Sequence, residues 1–168
     1  PYRISFFGGG TDYPAWYLEN GGGAVLATTI DKYCYISCRY LPQFFDHKHR
    51  IVYSKNEVVR EISEIQHPVV RVLLQEFEVT KGVEIHHDGD LPARTGIGSS
   101  SAFAVGLIHS LSALTGKYMS KEALSKAAIR TEQELLKETV GSQDQISAAF
   151  GGFNRIDCQR FREGCGMI

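Results

Sequence analysis

The chain has 168 residues, 43% hydrophobic and 22% charged, and its 18 basic and 19 acidic residues leave a formal net charge of −1. That is ordinary material for one globular domain with a proper core. The even charge balance, without a basic run, argues against nucleic acid as a main partner, and no apolar stretch is long enough to span a bilayer. In chain order, Tyr2 to Phe7 reads as a strand broken by Gly8-Gly9-Gly10, a tight loop or a place where a ligand comes close. Gly21-Gly22-Gly23 makes a second break. Residues 24–30 and 33–40 then read as strands joined at Asp31-Lys32 in a hairpin. Residues 50–54 predict another strand, 57–65 and 68–77 predict helices, and 83–87 predict a strand. Residues 103–114 are apolar nearly all round, which predicts a central buried helix ended by Gly116. Ser120 predicts an N-cap for a helix to about Lys137, Gly141-Ser142 caps a short helix ending near Phe150, and residues 153–157 form a last strand. Strands and helices interleave as one α+β domain.

Cys34, Cys38, Cys158 and Cys165 contain no Cys-x-x-Cys pair. They are expected to be free structural thiols in a reducing cytoplasm, not a zinc site. The chain starts at Pro1 and ends at Ile168 without an obvious closing element, so a piece of a longer protein is expected.

Three constellations carry chemistry. In the first, Arg3 precedes Gly8-Gly9-Gly10-Thr11-Asp12-Tyr13. An arginine suits phosphate because its charge and forked donors are fixed, and an aspartate after glycines suits sugar hydroxyls, with an Asx-turn as the plain structural alternative. In the second, Pro92 leads through Gly96-Ile97-Gly98-Ser99-Ser100-Ser101 into the apolar helix. The first N–H groups of a helix lack intrahelical partners, and with the dipole and nearby hydroxyls they make an anion site. The spacing is not that of a Walker loop. In the third, Glu132 falls on the apolar side of its helix with Leu124, Ala128 and Leu135, where a carboxylate needs a partner such as a cation. Glu134, Lys137 and Glu138 read as a solvated face. Gly141-Ser142-Gln143-Asp144-Gln145 follows, with Asp144 twelve residues beyond Glu132.

The Pro92-to-Ala102 stretch resembles the phosphate-binding motif of the GHMP kinases, and the Arg3–Tyr13 and Gly141–Gln145 segments resemble that family's sugar-kinase and catalytic-aspartate motifs, in the same order. The resemblance implies the N-terminal domain fold of these kinases over residues 1–168: a mixed sheet packed with helices, with a left-handed β-α-β crossover where right-handed is the default. It implies a C-terminal domain absent from this chain, an active site in the cleft between the two, and an apolar surface whose exposure favours self-association. It implies ATP and Mg²⁺, with Gly96, Ile97, Gly98, Ser99, Ser100 and Ser101 around the nucleotide phosphates. Ser100 and Glu132 would hold the ion, Asp144 would be the base, Arg3 would lie near the transferred phosphoryl group, and Gly9, Gly10, Thr11 and Asp12 would meet the sugar.

Galactokinases carry a Glu-His pair where this chain has Gly9-Gly10. The Gly-Gly-Gly-Thr-Asp loop resembles instead that of bacterial heptose kinases, which act on the anomeric hydroxyl of D-glycero-D-manno-heptose 7-phosphate. That makes this substrate the expectation, with Lys32, Arg94 and Arg155 as candidate cations for its phosphate. A fucokinase- or galactokinase-like enzyme and a non-catalytic sugar- or nucleotide-binding relative stand as alternatives.

Overall fold

The computed structural model describes residues 1–92, 95–159 and 164–167. The expected α+β architecture is present, with its strands divided between two sheets. The first sheet has the order β1-β2-β7-β8 and is antiparallel throughout: β1 (Arg3–Phe7), β2 (Gly23–Thr29), β7 (Phe153–Gln159) and β8 (Gly164–Met167). The second has the order β3-β6-β4-β5: β3 (Cys34–Tyr40), β4 (His49–Val52), β5 (Asn56–Val59) and β6 (Val83–Gly89). It is mixed, since β4 runs parallel to β6 while β3–β6 and β4–β5 are antiparallel. The connection from β4 to β6 passes through β5 and helix α2 (Pro68–Glu76) and forms the β-α-β unit.

Helices α3 (Ser99–Leu114) and α5 (Gln143–Phe150) lie between the sheets, α5 against β1, β2 and β7 and α3 against β3, and α4 (Lys121–Arg130) packs on both helices. Helix α3 has no single apolar stripe because it is covered on several sides. Phe103, Ala104, Val105, Leu107, Ile108 and Leu111 are all buried in the larger core. Gly106 lets it approach β3: a Cβ there would stand 3.0 Å from Ile36 Cγ1. A smaller core of Tyr17, Val25, Ala27, Ile146 and Ile156 joins α5 to the first sheet. The opposite face of that sheet leaves Ile4, Phe6 and Phe153 exposed, the last two with ring centroids 6.4 Å apart.

Several expectations are corrected. No hairpin forms at Asp31-Lys32, because β2 pairs with β1 and β7 while β3 pairs with β6 in the other sheet. Residues 57–65 are not a helix. Val58 and Val59, stiff at χ1 and suited to a pleated strand, complete β5, and a 3₁₀ turn over Ile62–Glu64 follows. A short helix, α1 (Pro14–Glu19), was not foreseen, although Pro14 sits in its first turn where proline is favoured. Ser120 does cap α4, its hydroxyl accepting from Ala123 N at 3.1 Å, but the helix widens into a π-helical turn over Thr131–Leu135 before ending. Cys34 and Cys38 are free, and burial pushes each thiol up to about 11. Cys158 is not free: it is disulfide-bonded, and the β7–β8 register sets it opposite Cys165. The compartment argument from free thiols loses its support there. Among the described residues no helix is long and apolar enough to cross a membrane.

Because Leu107 is fully buried at the centre of α3, Leu107→Ala is expected to lower stability by about 2–5 kcal/mol, transfer and cavity terms together. Urea unfolding of the two proteins measures it.

Candidate active site

The site lies where the ends of β1, α3 and α5 meet. Gly98 caps α3 at φ 76°, ψ 28°, a left-handed conformation that glycine adopts without cost. It is also a point of close approach, since a Cβ on Gly98 would stand 3.2 Å from Asp144 Cγ. The turn delivers the opening N–H groups of α3 and the exposed Ser100 to one side of the molecule. The helix dipole favours an anion at this end.

Arg3 reaches across this junction. Its backbone N–H donates to Ile97 O at 3.1 Å, its Nη1 to Gly96 O at 3.0 Å, and its Nε to Asp144 Oδ1 in an ion pair. The Gly96–Ile97 backbone and the first turn of α5 are thereby tied to β1. Asp144 is shifted above the usual carboxylate range: burial raises it, Arg3 opposes the rise, and the charge of Asp12 adds to it. The structure therefore brings together Arg3, Asp144, Gly96, Ile97 and Gly98, all singled out by sequence. Of the cations considered for a distal phosphate, Arg155 is ion-paired to Asp157, Lys32 is exposed, and Arg94 lies outside the described residues.

The glycine loop behaves differently from its sequence reading. Asp12 has no accessible surface. Its Oδ2 accepts from Gln143 N at 2.9 Å, and its Oδ1 from Gly10 N at 3.2 Å and Gln143 Nε2 at 3.3 Å. In this conformation Asp12 holds the first turn of α5 instead of presenting oxygens to a sugar, and it is not a local Asx-turn either. A Cβ on Gly141 would fall 2.0 Å from Asp12 Oδ2, so only glycine fits there. Thr11 staples the loop to β2: its hydroxyl donates to Gly8 O at 2.8 Å and accepts from Ala24 N at 3.1 Å. Gly10, at φ 94°, faces open space, with nothing within 4 Å of a would-be Cβ.

Glu132 sits in the π-helical turn, 1% exposed. Such a turn rotates a side chain away from the α-helical face and recurs at functional sites. Its Oε2 accepts from Ser101 Oγ at 2.8 Å and from Gln145 Nε2, so the hydroxyl that meets it is Ser101 and not Ser100. Burial pushes Glu132 up to about 7. The donors from Ser101 and Gln145 oppose the rise, and the charges of Glu138 and Asp144 add to it. Glu132 Oε1 is buried without a partner among the described residues. A buried, orphaned carboxylate oxygen suits a hard cation such as Mg²⁺, which takes one or two protein oxygens and completes its shell with phosphate and water. Among the described residues no group of three or more His, Cys, Asp or Glu side chains is arranged to hold a metal ion, and such a site needs none.

Sequence reading missed a cleft of about 620 Å³ beside the opening of α3, lined by Ser99, Ser100, Phe103, Tyr53, His67 and His87. The rings of His67 and His87 lie 4.8 and 5.0 Å from that of Phe103, and the Tyr53 ring stands edge-on to His67 at 4.9 Å. Burial lowers both histidines, favouring neutral rings. One signal was available: Phe103 lies four residues after Ser99 on the same helix face.

The sequence profile described as the GHMP kinases N-terminal domain matches residues 57–152, more than half of the chain. A curated relative, the D-glycero-alpha-D-manno-heptose 7-phosphate kinase of Campylobacter jejuni, is 28% identical over 94% of this chain and 49% of its own length. A galactokinase of Pyrococcus furiosus is 28% identical over 90% of this chain and 43% of its own. Among solved structures, a D-glycero-D-manno-heptose 1-phosphate kinase from Bacteroides thetaiotaomicron superposes with a TM-score of 0.86 at 23% identity, over 100% of this chain and 57% of that one. The fold is thus that of these kinases, and the chain spans about half the length of the curated relatives it matches.

The state of Glu132 sets a pH signature in the cation-free protein. Between its ordinary 4.5 and about 7 the folded protein holds a proton that the unfolded chain has released, so this group's contribution to stability falls as pH rises through that window. Glu132→Gln is expected to flatten the decline, read as urea midpoints at pH 5 and pH 8. Equal declines in both proteins would contradict it.

Proposed function

The chain belongs to the GHMP kinases, and from that premise we propose that the protein carrying it transfers the γ-phosphoryl group of ATP to the anomeric hydroxyl of D-glycero-D-manno-heptose 7-phosphate. The observation that carries the reading is the Arg3–Asp144 pair set against the Gly98 turn. A carboxylate and a fixed cation beside a helix N-terminus suited to phosphate oxygens support it.

In this reading the nucleotide phosphates lie along the Gly96–Ser101 backbone and the base enters the aromatic cleft beside Phe103 and His67. Arg3 engages Asp144 Oδ1, so the acceptor hydroxyl is assigned to Oδ2. A carboxyl raised toward the working pH is a better proton acceptor than an ordinary surface aspartate. Arg3 also keeps donors beyond those on Asp144 and Gly96, and these face developing charge on the phosphoryl oxygens. Glu132 Oε1 and the exposed Ser100 would hold Mg²⁺, which when bound neutralises charge on the phosphate oxygens. Asp12 holds α5, and therefore Asp144, in place.

The choice of sugar rests on the open space at Gly10, on the small Gly9 beside it, and on the name of the Campylobacter jejuni relative. A side arm beyond the six-membered ring fits where a galactokinase carries larger residues. A phosphorylated arm gains charge-assisted contacts, so its loss should lower kcat/KM by at least about tenfold.

Two measurements on the intact protein test this. Asp144→Asn is expected to keep nucleotide affinity and cut turnover by about 10²–10⁴-fold. Near-normal turnover would remove Asp144 from the chemistry. In a phosphoryl-transfer screen, heptose 7-phosphate is expected to exceed galactose in kcat/KM; equal values would leave a sugar kinase but end the heptose assignment.

A further inference from the structure

Two donors converge on one oxygen of Glu132. Ser101 Oγ donates to Oε2 at 2.8 Å, and Gln145 Nε2 donates to the same atom. All three side chains are buried, Gln145 with no accessible surface at all. The remaining oxygen, Glu132 Oε1, is buried and has no partner among the described residues. The orientation of the Gln145 amide follows from the same contact. With Glu132 ionised, the state that binds a cation, the amide turned over would set its carbonyl oxygen against a carboxylate oxygen, a repulsive arrangement, so the NH₂ group faces Glu132.

Ser101 and Gln145 come from different helices, the first turns of α3 and α5, while Glu132 hangs from the π-helical turn that ends α4. A carboxylate on a widened turn has torsional freedom unless both its oxygens are determined. Gripping Oε2 from two sides fixes the plane of the group and leaves Oε1 as the one oxygen that can point elsewhere. We propose that Gln145 is a positioning residue for Glu132: with Ser101 it pins Oε2, so that Oε1 alone is presented to a divalent cation. The inference rests on the kinase reading above and adds to it a residue that touches neither phosphate nor sugar. Outer partners of metal-bound carboxylates act in this way, and their loss typically weakens metal affinity by about 10–100-fold.

The test uses the intact protein and Mn²⁺, titrated with a non-hydrolysable ATP analogue and read by the paramagnetic resonance signal of the free ion. Gln145→Met keeps the length and volume of the side chain and removes the donor. Gln145→Asn keeps the amide but shortens its reach. Both are expected to weaken Mn²⁺ binding by about tenfold or more while the KM for sugar stays within about twofold. Saturating Mn²⁺ is expected to restore most of the turnover of Gln145→Met, which general damage to the fold would not allow. Wild-type Mn²⁺ affinity in folded Gln145→Met or Gln145→Asn overturns the proposal and leaves the kinase reading standing. Failure of the unmodified protein to bind Mn²⁺ with the nucleotide analogue overturns both.

Discussion

The first turn of α5 is the constraint on which the site depends. Three consecutive residues there bond to three separate parts of the chain. Gln143 holds Asp12 of the glycine loop, Asp144 pairs with Arg3 of β1, and Gln145 reaches Glu132 after α4. Successive side chains on a helix diverge by about 100°, so such a turn satisfies all three partners only when enclosed by them. Enclosure needs short distances, and the glycines supply them. Gly141 lets the Asp12 carboxylate approach the chain, and Gly98 lets the α3 turn close over Asp144. Any side chain at either position would push α5 away from one partner and misalign the others.

How much of this was legible in the sequence follows from how local each feature is. The three motifs, their order, and Arg3, Asp144 and Glu132 were readable because each sits in a short pattern whose chemistry is specific. The buried state of Glu132 was readable from helical spacing alone. The assignment of its hydroxyl partner to Ser101 was not: Ser100 and Ser101 differ by one step of rotation, and the π-helical turn that aims Glu132 leaves no pattern in residue type. Asp12 was read as a sugar ligand from the resemblance of its segment to a sugar-kinase motif, yet in the structure its carboxylate meets Gln143, 131 positions away. The false hairpin has the same origin. Alternation marks β2 and β3 as strands, but their pairing with β7 and β6 is settled by distant segments.

The aromatic cleft shows a further kind of invisibility. Tyr53, His67, His87 and Phe103 come from four separate stretches and form no motif in the chain. What gathers them is the packing of β6 and α2 around α3, together with Glu57. That buried carboxylate accepts from Tyr53 Oη at 2.8 Å, from Gln66 N at 2.6 Å and from His67 N at 3.1 Å. Burial raises its carboxyl, but the three donors outweigh it and leave it below the usual range. Glu57 is therefore charged and satisfied, and it fixes two of the rings that wall the cleft.

Set beside Glu57, the two carboxylates of the site separate by what surrounds them. Glu57 is buried with three donors and lies low. Asp144 is partly buried with a guanidinium and is raised only to the extent that burial and Asp12 outweigh Arg3. Glu132 is buried with two neutral donors on one oxygen and none on the other, and it rises to about 7. Burying a carboxylate costs several kcal/mol unless charge or hydrogen bonds compensate. For Asp144 the compensating charge is built into the chain as Arg3. For Glu132 it is not, although the first turn of α3 reaches the same carboxyl through Ser101. Under the function proposed above, a divalent cation arriving with a polyphosphate would bring the missing charge with it. The fold thus keeps one carboxylate paired with a guanidinium and leaves the other short of positive charge.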